Sequence, residues 1–160
     1  MIKMIDESTI IKWLTDEGLL NKKIQDQNAN FHYIINYPQD HMMDLIQPVG
    51  KEDMILIGCA TEIAEEQKKM ISQSSKQIKE NFIWAMRFTL NQFLVDFELE
   101  HPDNELNRFL ITDEIFEDGL TKNELIHTIK RIYKSKLQCL WLIDKTFSST
   151  NIDLNDFDNQ

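Results

Sequence analysis

Two histidines and two aspartates lie within thirteen residues of one another, in the stretch FHYIINYPQDHMMDLIQP. The four residues are His32, Asp40, His41 and Asp44. Imidazole nitrogens and carboxylate oxygens are common metal ligands, so a metal site is the first chemistry to consider. The alternation of side chains, however, predicts a β-hairpin that turns at Pro38. His32 and His41 are then about 16 Å apart along the strand, too far to share one ion.

A second polar cluster surrounds Pro102 and contains His101, Asp103 and Glu105. It has no further histidine or cysteine, and we interpret it as a polar turn. Glu98 and Glu100 share one face of a predicted strand, which is typical of a solvated sheet edge. The motifs GxSxG, GxGxxG, HExxH and the P-loop are absent from the chain. The sequence therefore predicts no catalytic, cofactor-binding or metal-binding residue.

The overall composition is that of a folded soluble protein, with 160 residues, 42% of them apolar and 28% charged. We expect a single α+β domain over residues 1–147. Residues 148–160 are polar and acidic, which favours a flexible tail. Ile152, Leu154 and Phe157 leave open an alternative in which the tail is a linear motif that binds another protein.

The net charge of −10 argues against a nucleic-acid partner, because such binding rests on lysine and arginine. Four basic residues of the last helix, Lys130, Arg131, Lys134 and Lys136, are interpreted as its solvated face. No apolar run approaches the length of about 18 residues that spans a membrane, and we expect no membrane partner. The absence of a signal peptide and of a disulfide framework predicts a cytoplasmic protein with Cys59 and Cys139 reduced in the core.

The pattern of apolar residues predicts the order of the elements. Asp6 to Gly18 has the caps of a short helix, and the segments 31–37, 42–47 and 54–60 read as strands. The segment 21–30 reads as turn-like, with room for a short strand around Ile24. In the hairpin, Ile35 is expected opposite Met43 and Tyr33 opposite Leu45, because this register gathers the apolar residues on one face.

The second half of the chain predicts two helices and two strands. A long helix over 62–93 would extend close to 50 Å, which favours a bend near Ser72–Ser75 or a protruding end. Strands follow at 95–101 and 108–116, and Thr121 with Glu124 has the spacing of a capping box for a last helix over about 122–145. The predicted fold is a two-layer α+β domain with an antiparallel sheet, the order α-β-β-β-α-β-β-α, and helices on one side of the sheet.

Several segments together resemble a known fold: Trp13 followed by Glu17-Gly18-Leu19, then NANFHYIINYP, MMDLIQP, KEDMILIG and EDGLTKNEL. Over about residues 6–147 the chain resembles the secretion-chaperone-like fold, shared by type III secretion chaperones and the YbjN family. It also resembles an uncharacterised archaeal family of unknown function. The resemblance implies an interaction module that is often dimeric and, in the chaperones, is wrapped by partner segments. It assigns no site residue, and the tail has no counterpart in it.

Two helical segments, 82–93 and 137–143, are apolar around nearly the whole helix. A helix that faces only a sheet needs one apolar stripe, and five residues exceed it: Trp84, Phe88, Leu140, Trp141 and Ile143. Either the two helices cover each other above the sheet, or these residues form a dimer or partner interface. We therefore expect a small acidic, chaperone-like protein-interaction module that forms a homodimer and binds a peptide or protein segment. The alternative is an enzyme or metal-binding protein with an unrecognised site.

Overall fold

The structure is a computed structural model that describes residues 4–147. Among these residues it has an α+β fold with four helices and one open antiparallel sheet of six strands, in the order β1-β2-β3-β4-β6-β5. The predicted fold class is thus confirmed. The elements are α1 (Glu7–Asp16), β1 (Leu20–Ile24), β2 (Ala29–Asn36), β3 (Met42–Pro48), β4 (Met54–Glu62), α2 (Glu65–Gln73), α3 (Lys76–Gln92), β5 (Asp96–Glu100), β6 (Arg108–Phe116) and α4 (Lys122–Phe147).

The chain divides into two compact units, each of which draws on two stretches of sequence. Within the described part, the first unit holds residues 4–59 and 112–133, and the second holds 60–111 and 134–147. The expectation of a single domain over 1–147 stays a prediction. The tail expected at 148–160 lies outside the described residues. None of the helices between residues 4 and 147 combines the length and apolarity that crossing a membrane requires.

The first unit is built on the predicted hairpin of β2 and β3. Tyr33 pairs with Leu45 and Ile35 with Met43, so the expected register is confirmed. All four side chains are buried, because alternate residues of a strand face the same side of the sheet. The Tyr37 N–H donates to the His41 carbonyl at 2.7 Å and closes the turn.

The predicted order counts five strands, and the structure has six, because the short strand left open around Ile24 is present. Leu20–Ile24 forms the strand β1, which pairs antiparallel with β2 over Leu20–Ile35 to Ile24–His32. Its sequence LNKKI does not alternate, because β1 is an edge strand and its three central residues are exposed. Charged side chains are common on edge strands, where they discourage pairing with other chains. The observed order is therefore α-β-β-β-β-α-α-β-β-α.

In the second unit the long helix predicted over 62–93 is two helices. β4 continues to Glu62, and the helix begins only at Glu65, later than expected. The predicted break near 72–75 is confirmed, since α2 ends at Gln73 and α3 begins at Lys76. Both serines between them are extended, and the Ser75 hydroxyl accepts a hydrogen bond from the Ile78 N–H at 3.2 Å. Ser75 is thus the N-cap of α3.

The start of α4 was predicted to the residue. Thr121 Oγ1 accepts a hydrogen bond from the Glu124 N–H at 3.1 Å, the N-cap half of the expected capping box, whereas the Glu124 carboxylate accepts from the Thr128 hydroxyl at 3.2 Å. The helix runs two residues past the expected end, to Phe147. In the second unit the Phe147 ring lies edge-on against Phe82 of α3, with ring centroids 4.7 Å apart. This contact anchors the end of α4.

Candidate functional site

His32 is held between two carboxylates. Its Nδ1 lies 3.0 Å from Asp26 Oδ2 and its Nε2 lies 2.6 Å from Asp44 Oδ1. Asp26 comes from the turn between β1 and β2, and Asp44 comes from β3. A histidine binds a metal through a ring-nitrogen lone pair, and here both nitrogens already face a protein oxygen. Through His32, the arrangement connects the turn between β1 and β2 to β3.

The carboxyl of Asp26 is stabilised in its charged form. The Asn28 N–H donates to Asp26 Oδ1 at 2.9 Å, and the His32 ring contacts the other oxygen. These two hydrogen bonds, the backbone one first, hold the pKa of Asp26 below its ordinary value. Asp26 and His32 line a cleft of about 560 Å³ at the end of the β1–β2 hairpin. Both ring nitrogens of His32 face carboxylates, so neither points freely into this cleft.

The other members of the two polar clusters are also separate. His41 Nδ1 lies 2.8 Å from the Tyr37 carbonyl, and the His41 ring contacts Tyr133. In the second unit, His101 Nε2 is 3.4 Å from Arg87 and Glu105 pairs with Lys79 at 2.8 Å. Between residues 4 and 147, no three side chains of histidine, cysteine, aspartate or glutamate are placed to hold a metal ion.

The five apolar residues expected at an interface fall into three groups. Trp84, Phe88 and Trp141 are exposed to 49%, 62% and 61%. Leu140 is half-buried. Ile143 is fully buried, so it belongs to the core and cannot contact a partner in this structure. The exposed aromatic residues belong to α3 and α4, and their position on each helix decides what they can do.

Trp84 and Phe88 lie on the side of α3 that faces solvent. Phe82, Ile83, Met86 and Leu90 form the buried side. At 3.6 residues per turn, the middle of the buried side and the middle of the Trp84–Phe88 pair are about 165° apart around the helix. The two exposed rings therefore contribute nothing to the core that α3 covers. We call the exposed side, residues 77, 80, 81, 84, 88, 91 and 92, the solvent face of α3.

The exposed rings on this face are ordered by one another and by a cation. Trp84 and Phe88 stack with ring centroids 5.9 Å apart and planes 30° apart. The guanidinium of Arg87 lies 4.6 Å from the centre of the Trp84 ring, a cation–π contact. Arg87 also reaches His101, so the cation links the tryptophan to the strand-end turn. Leu94, just past the helix, is 84% exposed and extends the apolar surface.

Three contributors to these sites were not predicted from the sequence. Asp26 was not assigned to His32, because the segment 21–30 reads as a polar turn. Arg87 was not paired with Trp84, although a separation of three residues places them near each other on a helix. Leu94 lies in the left-handed region with φ 59°, which an apolar residue rarely adopts and no motif signals.

Comparisons with known proteins place the chain in a family. The model of an uncharacterized conserved protein family, DUF2299, matches residues 6–143. The chain is similar to an uncharacterized protein from Methanothermobacter thermautotrophicus, with 51% identity over 89% of this chain and 99% of that chain and a TM-score of 0.87. It is distantly similar to YbjN, a putative transcription regulator from E. coli, with 13% identity, a TM-score of 0.41 and coverage of 96% and 97%. None of the curated proteins matches the chain. The expected resemblance to an uncharacterised archaeal family is confirmed.

Proposed function

We propose that this chain, which belongs to the uncharacterized conserved family DUF2299, is a protein-interaction module whose solvent face of α3 binds a second copy of itself. The observation that carries the proposal is the stacked pair Trp84–Phe88 on the side of α3 opposite its core. Exposed aromatic residues are uncommon on a surface that faces only water and are enriched in interface cores. The stacking and the Arg87 contact hold the rings in one arrangement before binding, which lowers the entropy lost on association.

Charge favours a second copy over a basic partner. The protein carries a net charge of −10, so a basic protein would bind where carboxylates are concentrated. The solvent face of α3 is the opposite kind of surface, with Glu80 as its single carboxylate and amides at the remaining polar positions. Two acidic molecules can meet on such a face without opposing their charges.

A two-fold dimer on this face would bring the aromatic residues together. If two α3 helices cross antiparallel at the level of Met86, Trp84 of one copy faces Phe88 of the other. In the same arrangement Glu80 faces Gln92 and Asn81 faces Asn91, so the lone carboxylate meets an amide. Aromatic residues at the centre with polar residues around them are the usual arrangement of an interface hot spot.

The broader role we propose is a small acidic cytoplasmic module that holds a peptide or protein segment. Met42 of β3 and Phe116 of β6 are 60% and 49% exposed and offer apolar surface in the first unit. A cytoplasmic location agrees with Cys59 and Cys139, which are buried as thiols. An enzymatic or metal-binding role is the weaker alternative, because the sequence carries none of the catalytic motifs sought and no three histidine, cysteine, aspartate or glutamate side chains of residues 4–147 are placed to hold a metal ion.

The experiment is a measurement of molar mass by light scattering during size exclusion, over protein concentrations from about 1 µM to about 1 mM. We expect the mass to rise from the 19.0 kDa of one chain towards twice that value. The double variant Trp84→Ala, Phe88→Ala should remain at the monomer mass throughout. The matched control is Phe116→Ala, another exposed aromatic residue, which should dimerise like the unmodified protein. A monomer at every concentration, or a dimer that the double variant retains, would overturn the proposal.

A further inference from the structure

The second half of α4 has a basic solvent face in an acidic protein. Lys134, Gln138, Trp141 and Lys145 are all exposed and follow one another at intervals of four, three and four residues. This spacing places them on one side of a helix. The buried residues Ser135, Cys139 and Ile143 lie on the other side. We call the four exposed residues the basic stripe of α4.

The cations in this half of α4 outnumber its carboxylates. Among residues 4–147, neither Lys134 nor Lys145 forms an ion pair. The one carboxylate of the helix beyond residue 134, Asp144, accepts a hydrogen bond from Gln67 Nε2 at 3.1 Å. Between the two lysines, Trp141 is 61% exposed. The stripe thus offers two positive charges with an apolar ring between them, which suits an acidic peptide that also carries apolar residues.

The sequence that directly follows α4 has this chemistry. Residues 148–160 read SSTNIDLNDFDNQ, with three aspartates, three large apolar residues and no lysine or arginine. We propose that this segment folds back and docks on the basic stripe of its own α4. Its Ser-Ser-Thr-Asn start consists of residues that favour turns. The family model ends at residue 143, so this contact would be a property of the present chain beyond the family match.

The distance between the two lysines of the basic stripe matches the distance between two aspartates of the segment. Lys145 and Lys134 are eleven helical residues apart, about 16 Å at 1.5 Å per residue. Asp153 and Asp158 are five residues apart, also about 16 Å if the segment is extended. With Asp153 at Lys145 and Asp158 at Lys134, Leu154 and Asn155 fall closest to Trp141. An extended chain spans about 3.3–3.6 Å per residue, so the eleven residues from Phe147 to Asp158 exceed the distance of about 20 Å back to Lys134.

Attachment to the helix end makes a weak contact sufficient. Individual surface ion pairs contribute about 0–1 kcal/mol, which would not hold a free peptide. A short tether, however, keeps the segment at an effective concentration of about millimolar beside the stripe. The same segment on another molecule has no such advantage at micromolar protein. The inference goes beyond the proposed dimer and does not depend on it, since it concerns α4 and not the solvent face of α3.

The test is carbodiimide cross-linking of the full chain, which joins a lysine amine to an aspartate carboxyl in contact with it as an amide, while the carbodiimide takes up the elements of water and leaves as a urea. Equal amounts of ¹⁴N and ¹⁵N protein are mixed at about 1 µM, where contacts between chains are rare. We expect amides between Lys145 and Asp153 and between Lys134 and Asp158, each within a chain of one isotope. Their yield should fall in high salt, because the Debye length, over which charges attract one another, shortens to about 3 Å at 1 M salt.

Two variants and a control sharpen the result. Trp141→Ala and, independently, Leu154→Ser should lower the yield of these amides about threefold or more, as loss of one partly buried apolar side chain would. Trp84→Ala should leave the yield unchanged, although it removes the proposed dimer. Absence of amides to residues 153–158, or equal yields on Lys76 and Lys79 of α3, would overturn the inference. Amides between chains of different isotopes would overturn docking on the chain's own helix and point to a second copy as the acceptor.

Discussion

Nε2 of His32 lies 2.6 Å from Oδ1 of Asp44, across the pair of strands β2 and β3. The contact is diagonal, because Ile34 pairs directly with Asp44 and His32 pairs with Ile46. Diagonal neighbours on one face of a sheet are within reach of long side chains. The His32 side chain is 14% exposed and that of Asp44 is 42% exposed, so the pair is partly shielded from water. We assign it to the stability of the first unit.

A double-mutant cycle on this pair should measure that contribution. His32→Ala, Asp44→Ala and the double variant should give a coupling free energy of about 1 kcal/mol in urea unfolding, since the pair is a short hydrogen bond to a carboxylate. The control is a second cycle on His32 and Asp40. Asp40 is exposed in the turn, so its coupling free energy with His32 should be about zero. A His32–Asp44 coupling no larger than that of the control would show that the contact does not stabilise the fold.

A second prediction concerns pH and the hydroxyl of Tyr33. This hydroxyl donates to Glu7, which also pairs with Lys23 at 2.9 Å. The Tyr33 hydrogen bond first, and Lys23 second, lower the pKa of Glu7, whereas burial first and Glu7 second raise the pKa of Tyr33. Glu7 therefore contributes stability above its ordinary pKa of 4.5 that is lost as pH falls through the lower folded value. Tyr33 contributes stability below its ordinary pKa of 10.0 that is lost as pH rises through the raised value.

Tyr33→Phe should remove the alkaline dependence and weaken the acid one, since Lys23 still lowers the pKa of Glu7. At neutral pH we expect unfolding to be easier by about 1 kcal/mol for the lost hydrogen bond. The urea midpoint of the variant should then change less than that of the unmodified protein towards acid and towards alkali. Tyr37→Phe serves as the control and should keep the original pH profile. An unchanged profile in Tyr33→Phe would contradict the assigned role of the Tyr33–Glu7 contact.

The fold was largely predictable because its cues are local. Tyr33 and Leu45 could be paired from the sequence, since a shift of one residue would have placed Asp44 on the buried face. Strand β1 was left open and not counted in the predicted order, because an edge strand of exposed residues has no apolar alternation. The partner of His32 was missed with it, as Asp26 reaches the histidine only once β1 places the turn beside β2.

The exposure of the apolar helix residues was only partly predictable. An excess of apolar residues identified Trp84, Phe88 and Trp141, which are exposed. The same excess included Ile143, which is buried. Composition alone shows that a helix has more apolar residues than one stripe needs, but not which side meets the core. That side is set by the elements against which the helix packs.

The N-cap of α4 gives a third prediction. Thr121→Ala removes the oxygen that accepts from the Glu124 N–H, and the free energy of unfolding should fall by about 1 kcal/mol. Thr121→Ser keeps the oxygen and should retain most of the stability. Thermal or urea unfolding measures the free energy of unfolding of both variants. An equal loss of stability in both would mean that the Thr121 hydroxyl does not stabilise the helix.

A fourth prediction compares two glycines. Gly18, at the end of α1, has φ 68°, whereas Gly119 is outside the left-handed region, and an added Cβ would meet no atom within 4 Å at either position. Gly18→Ala should therefore destabilise by about 1 kcal/mol through the backbone alone. Gly119→Ala should be neutral or slightly stabilising, because it restricts the unfolded chain. Urea unfolding of both variants tests this, and an equal effect would contradict the backbone explanation.

The most direct test of the proposed dimer is the fluorescence of Trp84 itself. Trp13→Phe and Trp141→Phe leave Trp84 as the one tryptophan of the chain. Its indole is 49% exposed in the monomer and would be buried at the proposed interface. As the concentration rises from about 1 µM to about 1 mM, the emission should shift to shorter wavelength with the same midpoint as the rise in mass. An emission maximum that stays constant while the mass doubles would place the dimer on another surface and contradict the proposal.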